Sequence, residues 1–340
     1  MGDVLHAMPA VAALRNSFPE AEIGWAIERR WVPLLRSDSG SVAMTGGRPL
    51  VDRIHEVDTR GWRKRIASPQ IWREVKSAFA EIHSEKYSVA IDIQGALKSA
   101  FIARFSGADR IFGFSAPRES AATVFYSKSY SVAGPHVIEM NLQLVSNALS
   151  LDSSASAGNF DLPRTPEQEA WSDGKLSELG ISRFCIMTPG SGWGAKCWPA
   201  ERYAEVARRL GVNGICSLVN HGPGEESLAK SVAEQSGGAA VPLGCDLAQL
   251  IALTRRAVLF IGGDTGPMHL AAALKVPVVA LFGPTDPSRN GPFGTPAVIL
   301  RSEKSKTSYS HVNTADPGLQ SITSDEVIQA ASTLLNEKIR

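Results

Sequence analysis

Long apolar runs are missing from this 340-residue chain. No stretch approaches the length of about 18 residues that a membrane span needs. The N-terminus carries no basic segment followed by an apolar core, so no export signal is legible there. Cysteine is scarce: Cys185, Cys197, Cys216 and Cys245 all lie in the second half, without CxxC spacing or a histidine cluster. That pattern indicates neither a disulfide framework nor a zinc site, and reads as reduced, mostly buried thiols in a cytosolic protein. Net charge is nearly absent at +1, which argues against a general nucleic-acid binder. No GxGxxG follows a strand near the start of either half, which disfavours a dinucleotide oxidoreductase.

What is present is enough apolar material for two cores: 44% hydrophobic and 20% charged residues over a length that suits two domains. Strand-like runs alternate with helix-periodic ones. In the first half, 21–28, 87–94 and 110–114 read as strands, and 4–18 and 71–83 as helices. In the second, FCIMTPG, ICSLVN, VLFIGG and VPVVALFG read as strands, with helices at 201–210, 225–236, 247–254 and after Pro267. This βα alternation predicts an α/β protein with two doubly wound parallel sheets. The Ser-, Gly- and Pro-containing stretch 151–166 is the expected linker and hinge, giving domains at 1–155 and 156–323. A terminal helix over 324–340 is expected to pack back on the first domain. Charge is unevenly spread: Arg60 to Lys128 holds 12 Lys and Arg against 6 Asp and Glu, so one face of the first half should be basic. Within it, Trp62-Arg63-Lys64-Arg65 combines an amphipathic ring with cations that anionic lipid would attract, and would equally suit a solvated loop.

The most informative stretch is VLFIGGDTGPMHLAAAL, Val258 to Leu274. A strand ends at Gly262-Gly263 and a helix opens at Pro267 with His269 in its first turn. Asp264 or Thr265 can cap that helix, and its free N–H groups and dipole suit a phosphate. An ordinary capped turn would read the same way.

In this order, MGDVLHAMPA (1–10), DIQGALKSA (92–100), PRES (117–120), PGSGWGAKCWP (189–199), GDTGPMHLAAAL (263–274) and LFGPTDP (281–287) resemble glycosyltransferase family 9, the inverting lipopolysaccharide heptosyltransferases of GT-B fold. The resemblance spans nearly the whole chain and implies two Rossmann-like domains facing a cleft. Among members it is nearest to those that move the first L-glycero-D-manno-heptose from ADP-heptose onto Kdo-lipid A. It implies a cytoplasmic enzyme, peripheral at the inner face of the inner membrane, that uses no metal and no cofactor.

Carried over by position, the resemblance makes Asp3 the general base. It assigns Ser191, Gly192, Lys196, Thr265 and Gly266 to the donor diphosphate, with Lys196 also a catalytic charge on the leaving group. Glu225 falls where the family contacts the donor nucleoside; Asp264 would meet donor sugar hydroxyls; His269 would donate to the diphosphate or pack beneath the turn. An acceptor bearing phosphates and acidic Kdo sugars makes Arg60, Arg63, Lys64, Gln94, Lys98 and Arg118 candidate docking groups, Gln94 and Lys98 having the better claim to the cleft. His136 and Glu139 match a family-like stretch without legible chemistry.

The sequence departs from the family at its start, where members have an apolar strand before Met1-Gly2-Asp3. Such a strand is usually central, so without it neighbouring backbone would go unpaired and Asp3 would be prone to fray. The expectation is that Met1 is an internal methionine of a longer chain. The donor loop 190–194 is richer in glycine than the family pattern, so backbone N–H groups would replace some hydroxyl contacts. The alternatives are another family 9 transferase adding a second heptose or a different sugar, an inactive nucleotide-binding remnant, and a GT-B epimerase acting on a nucleotide sugar.

Overall fold

The protein is described by a computed structural model over residues 1–65, 67–151, 157–308 and 314–337. Part of the expected linker, 152–156, and the last three residues of the expected terminal helix lie outside the described residues. The chain forms two compact units, Asp3–Pro163 and Arg164–Arg340, with Met1–Gly2 grouped with the second. The division thus falls at Pro163, not at 155, because Gly158, Asn159 and Asp161 still bond to the first unit through Pro9, Thr45 and Met44.

The first unit opens with α1 (Gly2–Ser17), then β1 (Gly24–Glu28), the short hairpin β2 (Met44–Thr45) and β3 (Arg48–Pro49), and β4 (Arg53–Val57). It continues with α2 (Thr59–Lys64), α3 (Pro69–Ser84), β5 (Val89–Asp92), α4 (Leu97–Phe105), β6 (Arg110–Phe114), β7 (Lys128–Tyr130) and α5 (Val137–Leu149). Helix α1 has no polar stripe, and its residues Leu5 to Ala13 are all buried, as expected for a helix enclosed on every side. Arg15 is buried at its end, where the guanidinium donates to the carbonyls of Pro49 (3.1 Å), Pro19 (3.1 Å) and Ala21 (2.7 Å) and pairs with Asp52. Asp3 therefore lies in a helical first turn and is exposed.

In this half the described residues form no continuous sheet, in keeping with the expectation that backbone beside the absent first strand goes unpaired. The parallel strands fall into two sheets, β4-β1 and β5-β6-β7, and among the described residues no strand joins β1 to β5. Side chains do some of the joining: His55 of β4 lies within 2.8 Å of the Tyr87 hydroxyl, just before β5, and its other ring nitrogen lies 3.1 Å from Glu81 of α3.

The second unit is the expected doubly wound domain. It contains α6 (Pro166–Glu178), β8 (Phe184–Thr188), α7 (Ala200–Val212), β9 (Cys216–His221), α8 (Glu226–Gln235), β10 (Ala240–Gly244), α9 (Leu247–Arg256) and β11 (Leu259–Gly263). It ends with α10 (Gly266–Ala273), β12 (Val278–Phe282), α11 (Pro287–Asn290), β13 (Ala297–Arg301), α12 (Pro317–Ser321) and α13 (Ser324–Glu337). One parallel sheet of six strands has the order β10-β9-β8-β11-β12-β13, and every residue of β8, β11 and β12 is buried. Such near-continuous apolar strands are what helices on both faces require.

The terminal helix α13 adds to the core of the second unit. Val327, Ala330, Ala331 and Leu334 of α13 join the apolar cluster of Leu210, Leu259 and Leu281. Asp325 pairs with Arg209 of α7, and the Ser324 hydroxyl donates to Glu205 at 2.7 Å. The four cysteines are free thiols, but only Cys185 is buried; the other three are half-buried. Among the described residues no helix is long and apolar enough to cross a membrane.

Candidate functional site

Strand order in the second sheet reverses between β8 and β11, the two central strands, so the loops leaving their C-terminal ends part to opposite faces. A crevice for ligands is characteristic of that position. The loop after β8 carries Ser191, Gly192 and Lys196, and the turn after β11 carries Asp264 and Thr265. The fold thus brings together two motifs that lie more than sixty residues apart in sequence.

Lys196 Nζ donates to Asp264 Oδ2 at 2.6 Å and to its backbone carbonyl at 3.2 Å. His269 Nε2 lies 3.2 Å from the other carboxylate oxygen, Oδ1. The ammonium also sits 4.9 Å from the centre of the Trp193 ring, a cation–π distance. Asp264 is nearly buried. Burial opposes its ionisation, but the bond and charge of His269, followed by the charge of Lys196, outweigh it and hold Asp264 well below the usual carboxylate range. Both carboxylate oxygens are thereby engaged with protein groups. The chemistry this favours for Asp264 is fixing a cation and a ring in place, more than receiving sugar hydroxyls.

The expected capping is corrected. Neither Asp264 nor Thr265 caps α10 with its side chain: Asp264 is turned to Lys196 and His269, and Thr265 Oγ1 points to the Gly263 carbonyl at 3.3 Å. Pro267 occupies the first helical turn as expected. A turn without a side-chain cap keeps its dipole end available to an anion.

Glu225 stands beside the same loop. Its carboxylate accepts from the Gly222 N–H at 2.9 Å, and an added Cβ on Gly190 would fall 2.3 Å from the Glu225 carboxyl carbon. Gly190 thus lies in close approach to the movable end of the Glu225 side chain, whereas a Cβ at Gly192 would meet open space. Ser191 Oγ accepts from the Trp193 N–H at 3.2 Å, which shapes the loop. Two hydroxyls passed unnoticed in the sequence, Thr188 at the end of β8 and Thr285 after β12; both oxygens are buried without a hydrogen-bond partner. The signal available was their position just past apolar strands, which many threonines share.

In the first unit, Gln94 Nε2 donates to Asp3 Oδ2 at 3.3 Å, so the nominated base and one nominated acceptor group are neighbours. The turn holding Gln94 is built on buried Asp92, which accepts from the N–H groups of Gln94 and Gly95, each at 3.0 Å, and from the Tyr126 hydroxyl at 2.7 Å. Burial raises the Asp92 pKa, with the Tyr126 bond working against it. Gly95 has φ +63°, and a Cβ there would come within 3.1 Å of the Arg118 nitrogen. Glu119 straps the turn further, its N–H donating to the Gly95 carbonyl at 3.0 Å and its carboxylate accepting from the Leu97 N–H at 2.8 Å. DIQGALKSA and PRES are therefore one structural piece.

The remaining nominated cations divide. Lys98 is paired with Glu28 at 3.4 Å and is only partly available to a ligand. Arg60, Arg63 and Lys64 lie exposed on α2, and Arg118 is exposed beside Gly95. His136 and Glu139 form a capping box at the start of α5, which accounts for that stretch without substrate chemistry.

The chain is similar to known proteins over most of its length. The profile of glycosyltransferase family 9 (heptosyltransferase) matches residues 75–317. Lipopolysaccharide heptosyltransferase 1 of Pseudomonas aeruginosa is 32% identical over 310 residues, covering 89% of this chain and 81% of that protein. The Salmonella typhimurium protein of the same name is 29% identical, covering 86% and 89%. Among solved structures, E. coli heptosyltransferase WaaC with ADP superposes with TM-score 0.77 at 25% identity, over 98% of this chain and 97% of that one. The same enzyme with ADP-2-deoxy-2-fluoro heptose gives TM-score 0.73 over 98% and 96%.

Proposed function

We propose, from the premise that this chain belongs to glycosyltransferase family 9, the heptosyltransferases, that it moves heptose from ADP-heptose to a Kdo-lipid A type acceptor in lipopolysaccharide inner-core synthesis. In this reading the second unit binds the donor and the first binds the acceptor. The observation that carries it is the Lys196–Asp264–His269 cluster at the β8/β11 switch point, beside the uncapped turn of α10. It supplies an ordered ammonium and helix N–H groups where a departing diphosphate gathers charge.

The step is a single inverting displacement. An acceptor hydroxyl oxygen bonds to the anomeric carbon while the bond from that carbon to the diphosphate oxygen breaks, its electron pair leaving with ADP. The Asp3 carboxylate takes the hydroxyl proton, and Gln94 holds that carboxylate through its amide. Lys196, Ser191, Gly192, Thr265 and Gly266 face the diphosphate, with His269 as a further donor; Glu225 accepts from the nucleoside ribose. No step needs a metal. Arg60, Arg63, Lys64 and Arg118 offer charge to the acidic acceptor, which lies in the cytoplasmic leaflet of the inner membrane, so the enzyme works there as a peripheral protein.

The test is acceptor-dependent ADP release from ADP-heptose with Kdo-lipid A. Asp3→Asn should abolish turnover while ADP affinity stays within about twofold, because only proton transfer is lost. Retained turnover would remove Asp3 from the mechanism, and release only with an acceptor that already carries heptose would reassign the enzyme to the second transfer.

A further inference from the structure

Eight large apolar side chains are exposed among the described residues, and five of them, Trp72, Leu97, Phe101, Phe105 and Val124, lie on α3, α4 and the turn 120–125 of the first unit. On α4, Leu97, Phe101 and Phe105 follow the i, i+4, i+8 spacing, so they form one stripe. Phe79 of α3 lies against that stripe, its ring centre 5.8 Å from Phe101 and 6.0 Å from Phe105. Phe101 and Phe105 are 4.3 Å apart; Phe125 stands 6.4 Å from Phe101, and Trp62 of α2 stands 6.4 Å from Phe79. Five rings are thus linked by tilted and edge-to-face contacts over three helices and a turn, with Phe101 and Phe105 each roughly half exposed at 44% and 50%. A contiguous apolar patch on a monomer marks an interaction surface.

The charges beside the patch decide what it meets. Arg60, Arg63 and Lys64 flank Trp62 on α2, Arg104 sits between the α4 phenylalanines, and Arg73 follows Trp72; all are exposed. Of the nearby acids, Glu119 accepts from the Leu97 N–H, Asp58 accepts from the Gly61 N–H, and Glu74 stands 4.0 Å from Arg65. Phenylalanine and tryptophan side chains bordered by arginine and lysine match the interface of an anionic bilayer, which takes rings at headgroup depth and cations at its surface.

We infer that the α3/α4 aromatic face, with the α2 cations, docks the first unit on a bilayer surface rich in anionic phospholipid. The inference deepens the proposed function and rests on its lipid-borne acceptor: the face holds the acceptor unit at the layer from which that acceptor is drawn.

The test sediments the full chain with phosphatidylcholine vesicles, with and without phosphatidylglycerol, and with no acceptor present. Wild type should bind only the anionic vesicles, and less as salt rises. Phe101→Ser with Phe105→Ser should lower the partition coefficient more than about tenfold through lost apolar burial. Arg104→Glu should lower it by at least about fivefold through lost surface attraction. A readout on the native fold uses bromine-labelled acyl chains: they should quench tryptophan fluorescence in wild type and fail to do so in Trp62→Phe with Trp72→Phe. Absence of wild-type binding, or wild-type binding by the serine variant, overturns the inference. So does a concentration-dependent dimer that the serine variant abolishes, because a second copy would then cover the face. ADP release on a detergent-dispersed acceptor is measured separately: its absence in wild type with vesicle binding intact rejects the functional reading and leaves the docking face standing.

Discussion

The two halves of this protein solve the same architectural problem differently. In the second unit the central strands β8, β11 and β12 are buried at every residue, and a six-strand ladder fixes where each loop departs. In the first, β1 and β5 each pair on one side only among the described residues; Ala26 of β1 is exposed, and Val89, Ala90 and Ile91 of β5 are half-buried. What the ladder does in one half is done in the other by side chains: Arg15 gathering three carbonyls and Asp52, His55 bridging Glu81 and Tyr87, and Asp92 holding the Gln94 turn. Backbone ladders tolerate substitution at most positions. A polar clasp concentrates the same task in a few atoms.

Hydrogen exchange tests this contrast most strongly. Amides of β8 and β11 should exchange at least about a hundredfold more slowly than those of β1 and β5, since edge positions open without global unfolding. Equal protection would mean that the first unit has found another backbone partner. Next in size, Arg15→Met should destabilise the first unit by about 1–3 kcal/mol, because three part-buried carbonyls lose their donor and half-exposed Asp52 loses its partner. Calorimetry should show its transition shifted and that of the second unit unmoved.

Lys196→Met probes the preorganised half through activity. It should reduce kcat about 10²–10³-fold, as removal of one aligned donor does in other transferring enzymes. Its effect on the first unit's melting should be nil.

The smallest effect is a difference in acid response. Asp264 has a depressed folded pKa, so its stabilisation is complete above the ordinary aspartate value near ~4 and is lost as pH falls through the depressed one. Asp92 has a raised folded pKa, so the first unit gains stability as pH falls through that value, the gain being complete below ~4. In melts from neutral pH to acid, the advantage of wild type over Asp264→Asn should shrink, and its advantage over Asp92→Asn should grow. Parallel slopes would show that the two carboxylates are held alike.

Legibility in the sequence followed the same divide. Helices over 201–210, 225–236 and 247–254 and the strands β8, β9, β11 and β12 stood out because a buried parallel sheet writes continuous apolar runs. β10 was missed because Pro242 argues against a strand; it forms at the sheet edge, where the absent N–H is not needed. The split of the first sheet was anticipated only as unpaired backbone, since pairing is a long-range property. At the site, Lys196, Asp264 and His269 were nominated separately. That Asp264 would engage both of the others, and so leave α10 uncapped, depends on how the β8 loop crosses β11. The aromatic face was invisible for a related reason: Trp62, Phe79, Phe101 and Phe125 are scattered in sequence and meet only once α2, α3 and α4 pack. Lys98 read as a free cation because Glu28 is seventy positions away.

One contact bears on how this protein can be cut. Trp198 Nε1 donates to the Ile322 carbonyl at 3.0 Å, and the Arg202 guanidinium donates to the carbonyls of Gln320, at 2.5 Å, and Ile322. The Gln320 amide returns to the Cys197 carbonyl at 3.2 Å. Residues 320–322 therefore act as a splint for the loop that carries Lys196, so a protease nick or a stop codon ahead of Asp316 would remove the far support of a loop that begins more than a hundred residues earlier. Dissection of the donor half into a smaller nucleotide-binding fragment would have to keep this tail.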